Sequence, residues 1–292
     1  MTRFERVAVI GVGLIGGSFA LALKKAGACA SVAGSGRNTE NLRVARARGV
    51  IDSIAADPAE AARGADLVLI AVPVGQMEAV FRAIGPVLGD TAVVTDAGST
   101  KRDVIAAARR ALLERFPRFV PAHPIAGGER SGAAAAQAHL FEGKRVVIAP
   151  AAETAPDALA RAEGAWQACR ARLSRMTPEE HDSVFAAVSH LPHLLAFALV
   201  HDIAKHPDAA QLFGYAAGGF RDFTRIASSH PEMWRDICVA NRDALLGELD
   251  RYLQQLAELR PMLERGDGDA LGRVFAEARA ARGRWLSGDF SQ

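Results

Sequence analysis

The chain has 292 residues, half of them hydrophobic, and its 35 basic side chains nearly cancel its 33 acidic ones to leave a formal charge of +2. At roughly 150 residues per domain this length predicts about two domains, and the apolar content excludes a largely disordered chain. A balanced charge with no compact Lys/Arg run argues against nucleic acid as a partner, so any anion binding has to be local.

The polar opening from Met1 to Arg6 is no secretory signal, and no stretch reaches the roughly 18 uninterrupted apolar residues of a spanning helix. A soluble, cytoplasmic protein with no membrane contact is expected. Cys29, Cys169 and Cys238 lie far apart without C-x-x-C spacing. They offer neither a disulfide framework nor a zinc site, and no metal is expected.

Val7–Ile10 is a short apolar strand that runs into Gly11, Gly13 and Gly16. A helix from Ser18 to about Lys25 follows, stopped by Gly27, and Ala30–Ala33 forms the second strand. Asp57-Pro58 starts another helix that Gly64 closes. Leu67–Val72 is apolar throughout, as a strand buried on both faces must be. Val93-Val94, Phe119-Val120 and Val146–Ala149 mark further strands. Strands alternating with helices predict an α/β fold, an N-terminal Rossmann-type doubly wound sheet spanning residues 1–177.

From residue 178 to residue 292 helical spacing takes over, predicting an all-α substrate-binding and dimerisation domain. Pro178-Glu-Glu180 opens one helix, and Pro192 interrupts or restarts another. Leu245, Leu249, Tyr252, Leu256, Leu259 and Leu263 advance by alternating fours and threes, a heptad-like seam. A single helix from Pro231 to Leu263 would be ~50 Å long at ~1.5 Å per residue. That exceeds a small domain, so part of the seam is expected to meet a second copy of the chain; an intramolecular bundle core is the alternative. Gly266-Asp-Gly268 reads as a turn before a last helix.

Gly11, Gly13 and Gly16 form a G-x-G-x-x-G between a strand and a helix, with Leu14 and Ile15 inside it. One glycine permits the tight turn, one the approach of a pyrophosphate and one helix–sheet packing, while the helix N-terminus holds the phosphates. Twenty residues beyond Gly16, where an NAD site usually carries an acid for the adenine ribose, stands Gly36 between Ser35 and Arg37. No carboxylate repels a 2′-phosphate, and Arg37 with Ser35 could hold one, so NADP is favoured over NAD. The alternative for Arg37 is a solvated loop residue.

Four further stretches stand out: Asp96–Lys101, His123–Gly127, Ser189–His193 and Gly218–Ile226. The first two follow predicted strands and fall at the carboxyl edge of the sheet; the last two lie in the helical half. With the glycine loop, and in this order from about residue 6 to 250, they resemble the prephenate/arogenate (cyclohexadienyl) dehydrogenase family of tyrosine biosynthesis, an aromatic amino acid pathway. The resemblance implies an NAD(P)-dependent oxidoreductase that takes hydride from a cyclohexadienol, releases CO2 and leaves an aromatic ring. Aromatisation supplies the driving force, so the protein mainly orients the ring and polarises its hydroxyl.

His123 matches the family histidine on that hydroxyl, and Ser99 the serine that bonds the same hydroxyl or the nicotinamide side. Ser99 could equally cap the following helix. Arg225 matches the arginine holding a substrate carboxylate, the alternative being an ion pair with Asp222. Arg221 stands where relatives present a basic residue across the subunit interface. His193 is expected at the substrate; His190 is as well explained by packing between domains. Glu129 matches an acid that gates the site, or is a solvated loop carboxylate. His181-Asp182 belongs to the family pattern with no role beyond helix packing.

The expected product is 4-hydroxyphenylpyruvate from prephenate, with L-arogenate as a second or alternative substrate. With the sequence running only a few residues past its last expected helix, no appended regulatory domain is expected. A β-hydroxyacid dehydrogenase is a competing reading, weakened because Lys205 is the only lysine after Lys144. A non-catalytic NADP-sensing protein is another, opposed by the joint presence of His123, Ser99 and Arg225.

Overall fold

The computed structural model describes residues 2–128 and 130–289. Strands β1 (Phe4–Ile10), β2 (Cys29–Ser35), β3 (Ser53–Ile54), β4 (Leu67–Ile70), β5 (Val93–Asp96) and β6 (Phe119–Val120) form a parallel sheet in the order β3-β2-β1-β4-β5-β6. Helices α1 (Leu14–Lys25), α2 (Thr39–Ala47), α3 (Pro58–Ala62), α4 (Met77–Ile84) and α5 (Arg102–Leu112) make the crossovers. This is the doubly wound architecture that the alternating pattern predicts.

The apolar strands are buried on both faces. Val7, Val9, Leu67 and Leu69 point to one core with Phe19 and Trp166, whose rings meet edge-on at 4.7 Å. Ala8, Ile10, Val68 and Ile70 point to the other, with Phe81 and Phe119. Continuous apolar runs are what such strands require.

Three elements depart from the expected boundaries. Helix α1 begins at Leu14, a turn before the Ser18 expected from the sequence, because Gly13 can carry the chain directly from the turn into the helix. Beyond β6 the chain builds a second sheet: β7 (Ala122–Pro124) runs antiparallel to β8 (Arg145–Ile148), which pairs in parallel with β9 (Arg172–Arg175) after α6 (Pro156–Ala168). His123 therefore sits inside a strand rather than in a loop. The third departure is the expected long helix, which is two helices, α11 (Pro231–Ala240) and α12 (Arg242–Glu264). Asn241 separates them, and its fully buried side chain explains the break: Nδ2 donates to the Asp182 carbonyl at 2.7 Å and contacts His190 Nδ1 at 3.1 Å.

All described elements after β9 are helical. The run from α7 (Pro178–Phe185) to α8 (Leu191–Lys205) passes through a π-turn at Ala186–His190. Pro192 in the first turn of α8 lacks an N–H and crowds the preceding turn, and the widened turn accommodates it. By length and composition Pro178–Lys205 could cross a membrane. It carries the buried polar groups His181, Asp182 and His190, which are bonded to the rest of the fold. Helices α9 (Ala209–Gly214) and α10 (Gly218–Thr224) lead to α11.

The chain divides into two compact units, Met1–Arg242 and Asp243–Gln292, so α7 to α11 belong with the nucleotide-binding part. In the second unit α12 is followed by α13 (Gly268–Ser287), whose N-terminus is capped by Asp267 accepting from Ala270 N at 2.9 Å. Along the seam Leu245 is buried, whereas Leu256 and Leu263 are 45% and 67% exposed.

Candidate active site

The glycine loop has the form that a pyrophosphate needs. Gly11 lies at φ +95°, and a Cβ there would stand 2.4 Å from the Ala71 carbonyl oxygen. One at Gly16 would stand 2.3 Å from the Gly11 oxygen, so both positions are closed to side chains. Gly13 faces open space, with nothing within 4 Å of where its Cβ would be. Leu14 and Ile15 form the first turn of α1, which has no acidic residue and no side-chain cap. Its N–H groups are left to an anion, and the dipole favours one. These residues fit a dinucleotide.

The carboxyl end of β5 is rigidly built. The buried Lys101 ammonium pairs with buried Asp96 and also donates to the Ala122 carbonyl at 2.7 Å. Asp96 in turn accepts from Gly98 N at 2.8 Å and Ala122 N at 2.9 Å. The loop carrying Ser99 and the strand carrying His123 are thereby tied to one ion pair. Ser99 itself is partly exposed and does not cap α5, because the helix starts at Arg102 with Lys101 at its N-cap.

That cap comes from α7. The Asp182 carboxylate accepts from Lys101 N at 2.7 Å and Arg102 N at 2.9 Å. Burial would raise its pKa, but the His181 bond and these two N–H donors win and hold it below the usual aspartate value. Asp182 Oδ1 also lies 2.8 Å from His181 Nδ1, and His181 Nε2 lies 2.8 Å from His123 Nδ1. The His-Asp pair expected only to pack a helix is thus bonded directly to His123.

The network assigns the tautomers. An ionised carboxylate only accepts, so His181 donates from Nδ1 and accepts at Nε2. His123 must then donate from Nδ1, leaving its Nε2 lone pair for a substrate. Burial is the main cause holding the His123 pKa well below the ordinary histidine value, with the His181, Lys101 and His190 charges adding to it. The imidazole is neutral and ready to accept a proton.

His190 ends the π-turn, and His193 follows in the first turn of α8. His190 is buried, and burial pushes its pKa down to about 4 against the opposing charge of Asp182; the Ser99 backbone is a further neighbour. His193 stacks on Trp234 of α11 at 3.5 Å between ring centroids, and its Nδ1 bonds the Ser189 carbonyl at 2.9 Å. Its pKa is lowered by burial and also by the Arg225 charge, so Arg225 and His193 share one environment. Arg221 is exposed on α10. Glu129 lies outside the described residues.

At the adenosine side the outcome differs from expectation. Ser35 is buried at the end of β2, where its carbonyl accepts from Gly11 N at 2.9 Å. Arg37 is exposed but not merely solvated: its two terminal nitrogens reach the Glu232 carboxylate of α11 at 3.2 and 3.1 Å.

Sequence reasoning thus missed His181, Asp182, Asn241, Lys101 with Asp96, Trp234 and Glu232. Of these only His181-Asp182 carried a local signal, an acid beside a histidine in a helix opened by the Thr177–Glu180 capping box. Asp96 and Lys101 bound one of the stretches that stand out in the sequence, but their pairing was not read from it, and Asn241, Trp234 and Glu232 meet distant partners only in the fold. Among the described residues no cluster of three or more His, Cys, Asp or Glu could hold a metal.

The chain is similar to known dehydrogenases. A family model described as the nucleotide-binding domain of prephenate dehydrogenase matches residues 19–175, and one described as its dimerization domain matches 177–277. The cyclohexadienyl dehydrogenase of Zymomonas mobilis is 37% identical over 97% of this chain and 96% of its own length. The prephenate dehydrogenase of Bacillus subtilis is 36% identical over 95% of this chain and 75% of its own. Among solved structures, prephenate dehydrogenase from A. aeolicus, in complex with hydroxyphenyl propionate and NAD+, superposes with a TM-score of 0.88 at 34% identity, covering 96% of this chain and 98% of that one.

Proposed function

The chain belongs to the prephenate dehydrogenase family, and from that premise we propose that it oxidises and decarboxylates prephenate to 4-hydroxyphenylpyruvate, accepting L-arogenate as well. The single observation that carries the reading is the His123–His181–Asp182 chain, which ends in a neutral Nε2 beside the carboxyl edge of a dinucleotide-binding sheet.

A bound nicotinamide would supply the hydride acceptor for the ring carbon that bears the hydroxyl. His123 Nε2 accepts the hydroxyl proton as that carbon gains carbonyl character. The resulting imidazolium is stabilised through His181 by the Asp182 carboxylate, which stays ionised because α5 donates two N–H groups to it. Loss of CO2 leaves the bonding pair in the ring, which aromatises, and His123 returns its proton to the phenolate oxygen. Ser99 bonds the same hydroxyl or the nicotinamide side. Arg225 holds a substrate carboxylate by its permanent charge, while His193, fixed by the Trp234 stack with its Nδ1 proton on the Ser189 carbonyl, offers the Nε2 lone pair to a substrate donor.

The glycine loop and α1 hold the pyrophosphate of NAD+ or NADP+. Taken by itself the end of β2, with Arg37 and no acid, favours NADP+, and the bond of Arg37 to Glu232 opposes that preference. The exposed leucines of α12 support a homodimer formed through the C-terminal helices. The test is the initial rate of nicotinamide reduction with prephenate and with L-arogenate, each with NADP+ and NAD+ at matched concentrations. Turnover of prephenate is the expected result. No rate with either substrate would overturn the proposal.

A further inference from the structure

Arg37 follows directly on β2, whose last residue, Ser35, is bonded to Gly11 of the glycine loop. In a doubly wound sheet this is where the adenine ribose lies. The carboxylate bonded to Arg37 there is brought by another element. Glu232, in the first turn of α11, takes both terminal nitrogens of Arg37, and its Oε1 also accepts from Gln76 Nε2 at 2.8 Å. Gln76 lies in the turn after β4, so Glu232 is tethered to the carboxyl ends of two strands.

The seating of α11 is close. One turn beyond Glu232, Asp236 crowds Gly75 so tightly that a Cβ there would stand 2.6 Å from its Oδ2. Helix α11 therefore presents two carboxylates, Glu232 and Asp236, to the edge of the sheet where phosphates bind. Asp236 is engaged by Arg235, at 2.6 and 2.8 Å. Glu232 is engaged by Arg37 itself.

We propose that Glu232 sets the cofactor preference of this enzyme by occupying the guanidinium that would otherwise receive the 2′-phosphate of NADP+. Pairing takes both terminal nitrogens of Arg37 to one carboxylate, and a phosphate dianion approaching the guanidinium meets the Glu232 charge. NAD+ carries only hydroxyls at that ribose and bears neither cost. NADP+ binds once Arg37 swings from Glu232 to the phosphate, and the pair's exposure to solvent makes that exchange accessible. Glu232 is thus a specificity residue delivered from the helical part in place of the acid missing after β2. This inference rests on the dinucleotide reading above.

The experiment is direct binding, by titration calorimetry, of NADP+ and NAD+ to the wild type, Glu232→Gln, Arg37→Ala and the double variant. Glu232→Gln should tighten NADP+ by about tenfold while NAD+ moves by less than about twofold, the size of one charge-assisted contact. Arg37→Ala should weaken NADP+ alone and, in the double variant, abolish the gain. An unchanged NADP+ to NAD+ ratio in Glu232→Gln would overturn the proposal, as would a gain that survives without Arg37 or an equal shift for both cofactors. The NAD+ affinity of each variant reports that it is folded. A wild type that binds neither dinucleotide would instead bring down the underlying functional reading, and this inference with it.

Discussion

Two polar networks tie the helical segment of residues 178–242 to the nucleotide-binding part, and they are built on opposite plans. The inner one runs from His123 through His181 and Asp182 to the backbone of α5, with the Lys101–Asp96 pair beside it, and nearly all of it is buried. The outer one is Arg37 with Glu232 and Gln76 at the surface. In the interior an unpaired charge is costly, so each group is held in one protonation state and one orientation. At the surface water can replace either partner, so the same kind of ion pair can be exchanged for a ligand. Fixed proton chemistry belongs in the first setting and adjustable selectivity in the second.

The sharpest way to break the inner network is to remove its end. His123→Asn should lower kcat by about 10²- to 10⁴-fold, the usual worth of a general base, with a much smaller change in KM for prephenate. Steady-state kinetics would check this, and a kcat within a few-fold of wild type would remove His123 from the chemistry. Asp182→Asn keeps the shape but replaces the anion. A fall in kcat of about 10- to 10²-fold is expected, below the ~10⁴ seen when a serine-protease triad loses its carboxylate. The pH profile separates orientation from packing: losing Asp182 should move the acidic limb of kcat/KM further down, because the imidazolium loses its stabilising charge.

In the wild type that limb should already lie below the ordinary histidine pKa of 6.5, since the His123 value is depressed by burial. The same depression makes stability pH-dependent. His190 is neutral in the fold down to about pH 4, whereas the unfolded chain protonates near 6.5. Its contribution is complete above pH 6.5 and is lost as pH falls toward 4, by about 1.4 kcal/mol per pH unit and roughly 3 kcal/mol in all. Denaturant melts between pH 7 and 4 should show this fall, and His190→Gln should flatten part of it. A wild-type curve that is flat over that range would contradict the buried neutral assignment.

The outer network should respond least. Arg37→Ala is expected to move the thermal midpoint by no more than about 1 °C, as an exposed pair contributes little. A large drop would mean that Arg37–Glu232 holds the helical segment in place rather than tuning the cofactor site.

Much of the nucleotide-binding half was legible in the residues. Leu67–Ile70 shows burial on both faces by its lack of polar alternation, and Gly11 and Gly16 mark a turn that side chains would close. The helical half was legible as a class but not in detail. The residues between Pro231 and the start of the heptad seam at Leu245 include no proline or glycine, so α11 and α12 read as one helix; the helix breaks because the Asn241 amide meets Asp182 and His190, about 60 and 50 residues earlier in the chain. For the site, His123 and His193 were legible from their motifs. The wiring behind His123 was not, since His181 next to Asp182 looks the same whether it packs a helix or orients a base.

Local chemistry, then, was determined by the sequence alone: which runs must be strands, where a backbone can approach a phosphate, and which side chains can carry charge or protons. These depend on sterics and polarity within a few residues. Tertiary structure decided which nitrogen of His123 is basic, which group caps α5, and that the carboxylate bonded to Arg37 comes from α11. Each of those is an electrostatic question whose answer falls steeply with distance, and only the folded chain brings the partners within 3 Å or so of one another.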